Sequence, residues 1–240
     1  MVPGSQVPFT PKSDQDRATL DVLGVVFDAQ KNPLGEIRDT VKLSINTSEL
    51  VQRKNVQYDN GFVLRSGQYH LKVVVRENQT GRLGSFETDL AIPDFKGITV
   101  KMSSVVLASQ VKPAGKRKSE NPMVRDGSEV IPSVTHVFSS AQHLYFYYEV
   151  YDPASGAAAQ QPGTGIRLLT NVAFFRGRTK VYETPVVQTE KLNAPDRKAA
   201  VFRLDVPLTQ LKPGFYTCQV NVIDDAAAQF RFPRLALLVR

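Results

Sequence analysis

The feature that most constrains this chain is a strand pattern that occurs twice. Residues 64–78 read LRSGQYHLKVVVREN, and residues 211–225 read LKPGFYTCQVNVIDD. Both fit Leu-x-x-Gly-x-Tyr-x-x-x-Val-x-Val-x, followed by an acidic or amide residue. In the first copy Tyr69, Leu71, Val73 and Val75 share a face, with His70, Lys72 and Arg76 opposite. In the second, Tyr216, Cys218, Val220 and Val222 share a face, with Thr217, Gln219 and Asn221 opposite. Alternation over this length belongs to half-buried strands, not helices. The glycine before each tyrosine marks the turn into the strand. A tyrosine just after such a corner is the pattern of the tyrosine corner in immunoglobulin-like sandwiches. A second pair of segments matches upstream, VLGVVFD at 22–28 and FYYEVYD at 146–152, each ending in an aspartate before turn residues.

The rest of the chain also reads as strands. Gly84–Ile92, Phe230–Val239, Ile37–Ile45, Val100–Ala108, Val134–Phe138, Gly165–Phe175, Lys180–Gln188 and Ala200–Val206 are short, rich in β-branched or aromatic residues, and bounded by turn signals. No window carries a helical stripe; Ser48–Lys54 is at most a short turn of helix. The expectation is an all-β chain of two tandem immunoglobulin-like β-sandwich domains. Residues 1–18 read as a flexible lead-in, 19–95 as the first sandwich and 98–240 as the second. The boundary falls at Pro93–Gly97, and a basic loop at 109–128 is inserted in the second sandwich. In 240 residues, each domain is long enough to bury a core. With a single cysteine it must do so without an internal disulfide.

The formal charge is +7. Its one dense cluster is Lys112, Lys116, Arg117 and Lys118, within a stretch of Pro, Gly, Ser and Asn. No aromatic residue interleaves the cluster to stack bases, so it reads as a solvated loop and nucleic acid is not the expected partner. No apolar run is long enough to span a membrane as a helix. The first 20 residues lack a basic start followed by an apolar stretch, so no signal peptide is expected in this chain.

A search for catalytic chemistry leaves little. Cys218, the only thiol, faces the expected core. There is no Gly-x-Ser-x-Gly elbow and no phosphate-binding Gly-x-x-x-x-Gly-Lys loop. Of three histidines, His70 faces outward, while His136 and His143 flank a turn that a hairpin could close. Two histidines alone fall short of a zinc site. Asp224 and Asp225 are the only adjacent carboxylates and read as turn residues, with glycoside hydrolysis and calcium as the weaker readings. Neither a catalytic nor a cofactor-binding residue is expected. The unusual run is LYFYYEVY at 144–151: one face carries Leu144, Phe146, Tyr148 and Val150, the other Tyr145, Tyr147, Glu149 and Tyr151. One face must be core. The other is either covered by a neighbour or offers Tyr145, Tyr147 and Tyr151 as a contact surface. The basic residues Lys116, Arg117 and Lys118 are a second candidate surface.

Three segments carry a family resemblance: RSGQYHLKVVVRENQTGRLGSFET at 65–88, NPMVRDGSEVIPSVTHVFSSAQHLYFYYEVYD at 121–152 and LTQLKPGFYTCQVNVIDD at 208–225. They look like the C-terminal region of bacterial proteins related to von Willebrand factor type A, over roughly residues 20–240. The resemblance implies two β-sandwich modules behind a von Willebrand A domain, in an extracytoplasmic or secreted protein. The cation-binding Asp-x-Ser-x-Ser motif of that A domain does not occur here; Asp39-Thr40 and Ser103-Ser104 lack its spacing. The expected role is a non-catalytic interaction or structural region presenting a protein-binding surface. The alternative is a carbohydrate-binding module, which would have to do without tryptophan.

Overall fold

A computed structural model describes residues 1–12, 15–46, 55–115, 121, 123–125, 127–156 and 164–240. The fold is all-β, and it divides into two compact units, Met1–Asp94 and Phe95–Arg240. Ser48–Lys54 and Lys116–Lys118 lie outside the described residues. Among those described, no helix is long and apolar enough to cross a membrane.

Unit 1 holds β1 (Val2–Pro3), β2 (Thr10–Lys12), β3 (Gln15–Phe27), β4 (Pro33–Ile45), β5 (Asn55–Val56), β6 (Gly67–Glu77) and β7 (Leu83–Ile92). One antiparallel sheet runs β2-β3-β6-β7, with β4 on the other edge of β3. β1 and β5 form a separate two-stranded ribbon. The register sets Val22 opposite Val75, Gly24 opposite Val73 and Val26 opposite Leu71, so these residues share one face. Phe62 lies over that face where glycines make room: a Cβ at Gly24 or Gly35 would sit 3.7 or 3.1 Å from its ring. The buried apolar residues here are Val7, Leu20, Val22 and Val26.

Within the expected lead-in of residues 1–18, the described residues carry strand pairing. Thr10–Lys12 pairs with the start of β3, which itself begins at Gln15, and Val7 is buried. The segment lacks apolar alternation, but a backbone can add to an existing strand through its own N–H and C=O groups without it.

Unit 2 holds β8 (Lys101–Met102), β9 (Val106–Pro113), β10 (Val124–Arg125), β11 (Ser128–Pro132), β12 (Val137–Phe138), β13 (His143–Tyr151), β14 (Thr164–Arg176), β15 (Thr179–Glu183), β16 (Val187–Lys191), β17 (Ala199–Pro207), β18 (Gly214–Asp224), β19 (Gln229–Arg231) and β20 (Arg234–Val239). One sheet runs β10-β11-β9-β13-β17, with β8 also on β13. The other runs β12-β20-β18-β14-β15, with β16 on β14 and β19 on β18. Among the described residues, their inner faces meet in a core of 24 buried residues. Phe146 meets Phe174 edge to face at 6.0 Å, and Tyr148 stacks on Phe202 at 5.3 Å. This unit is a β-sandwich.

The expected basic loop at 109–128 begins and ends in strands. Its first residues belong to β9 and its last to β10 and β11. Lys112 stands opposite Glu129 and pairs with it at 3.4 Å, so hairpin pairing neutralises the first charge of the cluster.

Both tyrosines close a corner of the same design. Tyr69 donates to the Arg65 carbonyl at 2.8 Å, and Tyr216 to the Lys212 carbonyl at 2.5 Å. The glycine two residues before each has positive φ, 158° at Gly67 and 149° at Gly214. A Cβ at Gly214 would collide with Arg176, whose guanidinium lies over the Tyr216 ring at 5.7 Å and donates to the Pro213 carbonyl.

Candidate functional site

Strand β13 presents Leu144, Phe146, Tyr148 and Val150 to the sandwich core, all essentially unexposed. Its other face points away from the second sheet and carries the tyrosines. Tyr147 on that face is itself buried, at 3% exposure, in a small apolar cluster with Ala108 and Val130. Met123, Val201 and Tyr145 pack against this cluster. Tyr147 is thus no open platform, because Val130 of β11 and Met123, just before β10, pack in the same cluster. Tyr145 is half-buried and stacks on the His143 ring at 6.2 Å; Tyr151 is half-buried against Phe95 at 5.9 Å. The three tyrosines share a face but not one exposed surface.

Beneath Tyr147 lies a buried polar network. Its hydroxyl donates to Glu149 at 2.8 Å, and Arg197 reaches the same carboxylate oxygen at 3.0 Å. Glu149 is 3% exposed, so this ion pair is largely desolvated. The backbone N–H of Glu149 donates to Ser103 Oγ at 2.9 Å. Burial, then the Glu149 carboxylate, pushes the Tyr147 phenol well above its ordinary range; the same causes push Tyr151 up to about 12. These phenols stay protonated and serve as fixed donors.

Above the network opens a cleft of about 180 Å³. Tyr147, Val130 and Val201 line it, along with Arg125, Asn193 and Arg203. Arg203 stands directly across the β13–β17 ladder from Tyr147. It is exposed and makes no ion pair among the described residues. Asn193 is held by two bonds to Val201, donating to its carbonyl at 2.8 Å and accepting from its N–H at 2.7 Å. Among the described residues no carboxylate lines the cleft, which Arg125 and the exposed Arg203 border. At ~30 Å³ per water it has room for about six water-sized groups, roughly a carboxylate on a short stem. Arginine's planar fork matches a carboxylate in two hydrogen bonds.

The other residues singled out from the sequence are spread through unit 2. His143 pairs with Asp205 at 2.6 Å, whereas His136 meets the Ala236 carbonyl at 3.2 Å. Asp224 is buried and accepts from the Ala154 and Ala227 amides, while its neighbour Asp225 pairs with Arg167 at 3.2 Å. Cys218 is fully buried, and burial pushes its thiol far up. Among the described residues no group of three or more His, Cys, Asp or Glu is placed to hold a metal ion. Arg125, Asn193 and Arg203 were missed by the sequence reading. The only local signal was the outward alternation that Arg203 shares with Val201 and Asp205 in the strand Ala200–Val206. No protein-family model and no curated protein matches the chain.

Proposed function

We propose that this chain is a non-catalytic interaction region of a larger exported bacterial protein, and that unit 2 holds an acidic segment of a partner protein in the Arg125–Arg203 cleft. The observation that carries the reading is Arg203, which is exposed on a small cleft and makes no ion pair among the described residues, with Arg125 on the same lining. The cleft walls are anchored by the Asn193–Val201 bonds and its floor by the Tyr147–Glu149–Arg197 network, so little ordering is needed on binding. We read both units as immunoglobulin-like modules on the strength of their two tyrosine corners. The exported setting rests on the resemblance of residues 65–88, 121–152 and 208–225. Recovery of the protein only from the cytoplasmic fraction of its source would count against that part.

A fluorescent glutamate-rich decapeptide is the defined probe for the cleft. Binding is expected by anisotropy at low salt, weakening as salt rises. Arg203→Glu is expected to weaken it at least tenfold, in line with lost hydrogen bonds to a charged group. Absence of binding by the wild-type chain, or equal binding by Arg203→Glu, would overturn the reading.

A further inference from the structure

The outer face of the second sheet of unit 2 carries a chain of side-chain hydrogen bonds across four strands. The register places Arg234 opposite Gln219, Asn221 opposite Asn171, and Ala173 opposite both Gln219 and Glu183, so all six share one face. Arg234 Nε donates to Gln219 Oε1 at 2.8 Å, and Gln219 Nε2 to Asn221 Oδ1 at 2.8 Å. Asn221 Nδ2 donates to Asn171 Oδ1, and Asn171 Nδ2 to Glu183 Oε1, again both at 2.8 Å. Lys180 closes the far end on Glu183 at 2.6 Å. Ala173 is small and buried, and it floors the track.

The donor and acceptor arithmetic is regular. A side-chain amide has two N–H donors and two acceptor lone pairs. Each of the three amides spends one donor and one lone pair on the chain, leaving one of each. Every bond runs the same way, from the Arg234 cation to the Glu183 anion, which fixes which end of each amide is nitrogen and polarises the row. The result is a row about 14 Å long over three strand spacings, charged at its Arg234 and Glu183 ends, with three neutral donor–acceptor pairs in its middle on the adjacent strands β18 and β14.

Aromatic residues stand at both sides of the track. Phe230 lies opposite Ile223, one outward position beyond Asn221, and stacks on Phe232 at 4.8 Å. They are 64% and 42% exposed. In the other direction Phe215 is 76% exposed on the same face.

We propose that this face is a binding site for a neutral glycan chain. A pair of neighbouring hydroxyls offers one donor and one acceptor at close spacing, which is what each amide leaves open. The C–H faces of a sugar ring pack on exposed phenyl rings. A polyanion is not matched, because the middle of the track is uncharged. A peptide adding as a strand is not matched, because this is a sheet face and its backbone groups are already paired. The site is separate from the Arg203 cleft, which belongs to the other sheet.

The test uses the full chain with cellohexaose, xylohexaose and mannohexaose at millimolar concentration, read by NMR. Saturable shifts are expected in the side-chain NH₂ signals of Asn171, Gln219 and Asn221 for at least one sugar. Asn221→Ala and Phe230→Ala are each expected to weaken that binding about tenfold. Arg203→Glu leaves it unchanged, which separates this proposal from the cleft. Phe230 is exposed enough that its substitution keeps the test informative if Asn221→Ala unfolds. Unmoved amide signals with all three sugars would mean that the track only ties strands together and would overturn the proposal. Binding that survives both substitutions would overturn it as well.

Discussion

Unit 1 and unit 2 carry the same strand motif into different surroundings. In unit 2 the inward residues of β18, namely Cys218, Val220 and Val222, are all at 0% exposure, because the β13 sheet covers them. In unit 1 the matching residues Leu71, Val73 and Val75 of β6 are only half-buried, under cover that includes Phe62. Among the described residues, unit 1 has one main sheet where unit 2 has two. The motif therefore dictates a strand, its corner and its inward face. The depth of burial is set by what packs on that face, which lies elsewhere in the chain.

The sharpest way to break this comparison is to remove one core side chain from each unit. Phe174 is fully buried between Phe146 and Tyr182, and Phe174→Ala is expected to cost about 3–5 kcal/mol. Val26 is the most buried apolar side chain of β3, and Val26→Ala is expected to cost about 2 kcal/mol, with less packing lost. Urea titration followed by hydrogen exchange, read separately in each unit, measures both. Equal costs would mean that unit 1 is as well covered as unit 2.

A smaller effect tests the corners. Tyr216→Phe removes the hydroxyl that holds the Lys212 carbonyl, at a residue only 4% exposed. Tyr69→Phe removes the matching bond at a half-buried residue. The expected losses are about 1.5 and about 0.5 kcal/mol, the difference reflecting how readily water replaces the bond. Equal losses by thermal melting would show that the corner's strength is independent of its cover.

Much of this was legible in the sequence, and the failures have physical causes. The inward and outward faces of β6, β13 and β18 followed from alternation, and Cys218 fell in the core as its register required. Three expected strands proved to be pairs. Pro233 has no N–H to donate and separates β19 from β20, and Pro185 stands between β15 and β16. Between β8 and β9, Ser103 exchanges bonds with Glu149 through its own side chain, interrupting the ladder. The cleft was not legible because Arg203 and Tyr147 meet only through the register of β13 on β17, which no local pattern encodes. The amide track was hidden for the same reason: Gln219 and Asn221 read simply as the polar face of a strand until Asn171, Glu183 and Arg234 arrive from others.

The finest test concerns the acid that ends each copy of the motif. Glu77 and Asp224 both stand ten residues after the corner glycine, and both are buried, at 5% and 2%. Asp224 accepts from two backbone amides, whereas Glu77 gathers four donors from the turn it closes: the amides of Gln79, Thr80 and Arg82 and the Thr80 hydroxyl. Burial pushes the Glu77 carboxyl up, but these bonds together hold it down at about 2, against 4.5 in an open chain. Between those values the unfolded chain binds the proton and the folded chain does not. The stabilisation from Glu77 is therefore complete above pH 4.5, fades as the pH falls, and is lost below about 2. Glu77→Gln keeps the side chain's shape but removes the charge. It is expected to lower the stability of unit 1 at pH 7 and to flatten its decline between pH 4.5 and 2, as read by hydrogen exchange in β6 and β7. An unchanged acid profile in the variant would mean that the turn, not the carboxylate, holds that end of the strand.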